Sequence, residues 1–197
     1  MAVLEAREAQ VASARRVATR RLAWGLVTLL LFAAGGAVAQ GAALEYAVKA
    51  AYLYKFTPFV RWPAEAFPGP TSPLTLCIAG EDPFGPALDQ AVRGQTVGDR
   101  RLAVRRLAPG ERPTGCHLLF VGRMRDGGVA QALAAVSRQP VLTVTDRSRG
   151  VDGGIVQFVM LDGRVRFAID AARAQASGLA ISSKLLGLGV SPRGEVR

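Results

Sequence analysis

Two hydrophobic rhythms run along this chain, one of three- and four-residue steps and one of short unbroken apolar runs. Leu44, Val48, Ala51, Tyr52, Phe56 and Phe59 recur at helical spacing, so Leu44–Val60 is predicted to be a helix with that stripe turned inward. Lys49 and Lys55 fall mainly off the stripe, and Pro58 and Pro63 bracket its end. Leu74–Ala79 is nearly continuous in apolar residues, as expected of a strand buried on both faces. Gly80–Gly85 then turns the chain into a helix across Ala87–Val92, with Asp82 placed as its cap and Pro83 at its first position. Gln95–Val97 and Leu102–Leu107 flank Gly98-Asp99-Arg100-Arg101 and read as a small hairpin. His117–Val121 and Val141–Thr145 are further buried strands, separated by a helix through Val129–Val136. Ile155–Leu161 and Val165–Ile169 are joined by Asp162-Gly163, the strongest short hairpin signal in the chain. Asp170 caps a helix that stops at Gly178, and a short strand, Leu179–Ser182, leads into an apolar tail.

Strands alternating with helices, followed by a late hairpin, predict an α/β three-layer sandwich. Its sheet is mostly parallel, with helices on both faces and one antiparallel hairpin. Residues 40–197 show no internal repeat or long linker and are expected to form a single domain.

The first forty residues follow another pattern. Arg7, Arg15, Arg16, Arg20 and Arg21 precede an uncharged apolar run from Leu22 to Ala34, then Gly35-Gly36 and the triplet Ala37-Val38-Ala39. Positive flank, short apolar core and A-x-A site in that order describe a secretory signal peptide over residues 1–39, cleaved after Ala39. An uncleaved anchor is the competing reading, because Leu22–Val38 lies near the lower length limit for a membrane span. Export places the mature protein in the periplasm. The whole chain's formal charge is +10, and removing the leader's five arginines and two glutamates leaves +7; that charge meets no chromosomal DNA there, and nucleic acid is not an expected partner. Lysine occurs only at 49, 55 and 184, every other basic residue being arginine, so the positive balance also fits a compositional bias of the genome.

Candidate chemistry is sparse. Two cysteines and one histidine exclude a multi-ligand structural zinc site. His117 is the only histidine and opens a strand beside Cys116, whose side chain must point to the opposite face, so the two cannot act as a nucleophile pair. No G-x-S-x-G, H-E-x-x-H or P-loop signature occurs, and no catalytic residue, cofactor or metal is expected. Cys77 and Cys116 lie on or beside two buried strands. They are a candidate disulfide if those strands are neighbours, and inert buried thiols otherwise. Gly80–Gly85, Gly122–Gly128 and Asp146–Gly154 follow strands, where open α/β sheets bind ligands. Asp146–Gly154 also reads as an ordinary surface loop held by Arg–Asp contacts.

Several segments together resemble the YfiR family (domain of unknown function 4154). They are Val48–Pro63, Leu76–Gly85, Gly115–Gly122, Pro140–Asp146, Gly153–Val159 and Gly178–Leu186, in register over about residues 44–189. The resemblance implies a periplasmic α/β regulator that represses an inner-membrane diguanylate cyclase by contacting its periplasmic portion. An outer-membrane peptidoglycan-binding lipoprotein sequesters such a repressor, and cyclic-di-GMP signalling and biofilm formation lie downstream. It also implies a homodimer, and it transfers no catalytic residue. Arg61, Trp62, Leu185, Leu186 and Leu188 are the candidate partner-binding residues, since aromatic and arginine side chains dominate interface energetics. A small-molecule sensor using the three strand-end loops is the alternative function.

Overall fold

The computed structural model describes residues 41–191; the predicted leader lies outside them. Among the described residues, 45–191 belong to one compact unit. The elements are α1 (residues 41–56), β1 (Val60–Arg61), β2 (Leu74–Ala79), α2 (Pro86–Val92), β3 (Thr96–Val97) and β4 (Arg100–Arg106). They continue with β5 (Leu118–Val121), α3 (Gly128–Ala134), β6 (Leu142–Asp146), β7 (Val156–Leu161) and β8 (Arg164–Ile169). The last are α4 (Ala171–Ala176), β9 (Ala180–Ile181) and α5 (Ser183–Leu188).

Seven strands form the main sheet in the order β3-β4-β2-β5-β6-β7-β8. The five central strands are parallel, and β3 and β8 close the two edges antiparallel. Side chains alternate faces along each strand. On one face Leu76, Ile78, Leu118, Phe120, Val144 and Phe158 meet Leu53 and Phe56 of α1, Leu88 of α2 and Leu185 of α5 in a single core. On the other, Cys77, Leu119 and Val121 meet Val136 and the half-buried Val129 and Leu133 of α3. The result is the expected three-layer α/β arrangement. Full burial of Leu53 and Phe56 stabilises the docking of α1 by roughly 1.5–3 kcal/mol each. Phe56 also packs edge-on against Phe167, with ring centroids 4.9 Å apart. The β7–β8 turn uses Asp162 and Gly163, both at positive φ (49° and 68°), the backbone that Asp-Gly supplies at least cost.

Three expectations need correction. Helix α1 is rotated from its predicted stripe: Val48 is 39% exposed, while Lys49 is fully buried. Counting lysine as outward misses that a buried ammonium is tolerated when carboxylates meet it. Asp82 does not cap α2. Its Oδ1 accepts from the backbone N–H groups of Phe84 (2.8 Å) and Gly85 (3.2 Å), and α2 begins only at Pro86 behind Gly85. The apolar tail is the short helix α5, capped by the Ser182 hydroxyl accepting from Lys184 N–H. The short strand read at Leu179–Ser182 forms as β9 and pairs with β1 in a separate antiparallel ribbon, Val60 opposite Ile181 and Arg61 opposite Ala180.

Candidate functional site

Chain connections leave β2 toward β4 and leave β5 toward β6, so the sheet's switch point lies at the adjacent carboxyl ends of β2 and β5. There the loops after Ala79 and Val121 are fastened together. Glu81 N–H donates to Arg123 C=O (3.0 Å), Gly122 N–H donates to Ala79 C=O (2.9 Å), and the Arg123 guanidinium meets the Glu81 carboxylate at 3.0 Å. Gly122 permits this approach, because a Cβ there would lie 2.1 Å from the Glu81 carbonyl oxygen. The crevice directly above the switch point is therefore occupied by the chain itself. A groove of about 1050 Å³ opens beside it, on the α3 face, between residues 107–114 and α3. The third strand-end loop, Asp146–Gly154, does not line this groove.

That third loop instead anchors a buried charge cluster the sequence reading missed. Lys49 Nζ donates to Asp146 Oδ2 and Glu45 Oε1, both at 2.5 Å, and to Ser148 Oγ at 3.1 Å. Ser148 in turn donates to Asp146 Oδ1, and the Tyr46 hydroxyl donates to Oδ2 at 3.4 Å. The ammonium also faces the rings of Tyr46 and Phe158, 5.0 and 5.8 Å from their centroids. Burial first, and the Asp146 charge second, push the Tyr46 phenol up to about 12. The only signals available in sequence were a lysine in an apolar helix and an acid at a strand end, 97 residues apart. The rest of the loop is the surface structure foreseen for it, with Arg147 Nε on Asp152 at 2.7 Å.

His117 is buried, and both ring nitrogens are committed to backbone. Thr75 N–H donates to Nδ1 (3.0 Å) and Nε2 lies 3.0 Å from Ala66 C=O. Since Nδ1 accepts, the proton sits on Nε2, and a second proton would confront the Thr75 N–H. Phe67 stacks on the ring at 4.3 Å between centroids. Burial lowers the His117 pKa, and the nearby Arg100 charge adds to this against the opposing Ala66 hydrogen bond. The folded state therefore resists protonation more than the unfolded chain does. Stability is expected to be full above the ordinary histidine range, to fall as pH drops below about 6.5, and to level off below the lowered folded value. Urea midpoints at pH 8 and pH 5.5 for wild type and His117→Gln check this. The pH dependence should shrink in the variant, and an unchanged difference would overturn the assignment.

Cys77 and Cys116 are joined, with Cα atoms 5.7 Å apart, tying β2 to a residue just ahead of its neighbour β5. Arg105 Nη2 reaches Thr114 C=O (2.7 Å) and Cys116 Sγ (3.4 Å). Arg106 forks onto Asp89 and also meets Asp82 at 2.7 Å, and its hydrogen bond holds the Asp89 carboxyl below the usual range.

Among the candidate partner-binding residues the structure discriminates. Leu185 is 2% exposed and belongs to the core, so it cannot meet a partner. Trp62 is half-buried, and its indole N–H donates to His117 C=O at 3.2 Å. Arg61 is exposed, Leu186 half-buried and Leu188 66% exposed. The β1–β9 ribbon brings Arg61 opposite Ala180, three residues before α5 begins, and α5 carries Leu186 and Leu188. Among the described residues, no group of three or more His, Cys, Asp or Glu is placed to hold a metal, and no helix is long and apolar enough to cross a membrane.

The sequence profile described as YfiR/HmsC-like (domain of unknown function 4154) matches residues 46–190, nearly all of the compact unit. No curated protein matches the chain.

Proposed function

The chain belongs to the YfiR/HmsC-like family, and from that premise we propose that it is a periplasmic protein-binding regulator that represses an inner-membrane diguanylate cyclase by contacting the cyclase's periplasmic portion. In this reading residues 1–39 are a cleaved leader and 40–197 the working domain. The protein acts as a homodimer, performs no catalysis, and is sequestered by an outer-membrane peptidoglycan-binding lipoprotein that thereby raises cyclic-di-GMP and promotes biofilm.

One observation carries the reading beyond family membership. The β1–β9 ribbon presents an exposed arginine, Arg61, and α5 presents an exposed leucine, Leu188. An exposed arginine is of the residue types enriched at interfaces, and α5 leaves a large apolar side chain 66% exposed. The experiment is capture of the periplasmic portion of a diguanylate cyclase from the same genome on immobilised residues 40–197. Leu188→Asp and Arg61→Glu should each weaken capture at least tenfold while thermal midpoints stay within about 2 °C, since neither side chain is buried. Capture indifferent to both substitutions, or none by the wild type, would sink the proposal.

A further inference from the structure

The groove on the α3 face has no part in that reading: the ribbon and α5 pack on the opposite side of the sheet. Its base is apolar, the half-buried Met124 and Ala132 lying over the buried Ala79 and Leu119. Met124 lies in a slot between two glycines; a Cβ at Gly80 would meet its Cγ at 2.7 Å, and one at Gly128 its Cβ at 2.9 Å. A thioether held this way gives a base that is apolar yet adaptable to a ligand's shape.

The rim carries the opposite character. Arg112, Arg123 and Arg125 line it, with Glu81 and Glu111 as the acids. Glu81 is neutralised by Arg123. Glu111 is turned back onto its own turn, accepting from Ala108 N–H at 2.8 Å. Arg112 and Arg125 make no ion pair among the described residues. Two uncompensated guanidinium groups thus stand over an apolar trough whose walls are already fixed. The loops after β2 and β5 are bonded to each other, and the disulfide secures the far wall at Cys116. A preformed site loses little on ordering, and its volume, about 1050 Å³, lies at the upper end of small-molecule pockets, roughly 300–1,000 Å³.

We propose that this groove binds a small amphipathic organic anion, its apolar body on Met124 and Ala132 and its carboxylate, or an equivalent acidic group, between Arg112 and Arg125. A peptide would leave most of its length outside a trough of this size, whereas a medium-chain or aromatic acid fills it.

The test uses residues 40–197 with 8-anilinonaphthalene-1-sulfonate as the fluorescent amphipathic anion and decanoate as the displacing ligand. Decyltrimethylammonium serves as the cation of equal apolar length. The native near-ultraviolet dichroism is recorded throughout, so that dye uptake by unfolded protein is recognised. The expected result is saturable one-to-one binding, displaced by decanoate at least tenfold more effectively than by the cation. The Arg112→Glu/Arg125→Glu double variant should bind at least tenfold more weakly. So should Ala135→Trp, which fills the trough from an exposed position and leaves the core intact. No saturable binding, equal displacement by the cation, or displacement only by an acidic peptide overturns the proposal. So does binding that survives both variants. None of these outcomes bears on cyclase capture, so the two readings fail separately.

Discussion

Replacing Asp146 by alanine should destabilise the domain by about 3–5 kcal/mol, the penalty typical of removing one partner from a buried ion pair. Lys49 has no solvent exposure, and the Asp146 side chain is 3% exposed. Without that carboxylate the ammonium keeps Glu45, four residues earlier on the same helix and 19% exposed, together with two aromatic faces. Glu45 is also drawn toward the Arg149 guanidinium at 3.9 Å, so its compensation is shared. The loss therefore falls on the junction of α1 with the β6–β7 loop, where α1 is held by charge as well as by packing. Lys49→Met isolates the charge from the volume. Methionine keeps contact with Phe158, and Asp146 retains its bonds from Ser148 and Tyr46. The combined Lys49→Met/Asp146→Asn variant should then be more stable than Asp146→Ala alone, because no buried charge is left without a partner. With the Asp146→Asn single variant added to close the cycle, urea unfolding of wild type, Lys49→Met, Asp146→Asn and the double variant reads the coupling. A cost below about 1 kcal/mol for Asp146→Ala would show that water reaches Lys49.

The same residue pair marks the boundary of what the sequence discloses. Strands β2 and β5 were legible because a parallel strand buried on both faces is apolar almost throughout, and β6 by its β-branched run Thr143-Val144-Thr145. The β7–β8 hairpin was legible because Asp162-Gly163 supplies two positive-φ residues in succession. Helix α1 was located, yet its inward face was misplaced. Hydropathy ranks Lys49 as outward, and only the fold discloses that Asp146 waits for it across 97 residues of chain. The β1–β9 ribbon was illegible for a related reason. Two strands of two residues each carry no periodicity, and their pairing joins Val60 to Ile181. Of the candidate surface, Arg61 and Leu188 are exposed, whereas Leu185 turns into the core because α5 forms where a tail was expected. The arginine-rimmed groove was half visible. Its glycine loops were flagged by their position after strands, but its far wall, residues 107–114, had no distinguishing signal.

Loss of the Cys77–Cys116 bridge should cost about 3–4 kcal/mol, by the chain-entropy relation for the 39 residues it spans. The figure reflects freedom regained by the unfolded chain, for the closed segment contains α2, β3 and β4. Cysteine→alanine replacement at both positions adds a smaller term for packing, since Cys77 is fully buried and Cys116 is 5% exposed. Reduction of the wild type avoids that packing term, so the two experiments bracket the cross-link's own contribution. With both sulfurs buried, a reductant should reach the bond only through opening of the domain. Reduction by dithiothreitol is therefore expected to be slow in buffer and to accelerate with urea in step with unfolding. The oxidised protein should show a higher urea midpoint than both the reduced protein and the Cys77→Ala/Cys116→Ala variant. Coincident midpoints for oxidised and reduced protein would mean that residual structure in the unfolded chain already confines the 39-residue loop. In that case the bridge contributes to the rigidity of the groove wall and not to stability.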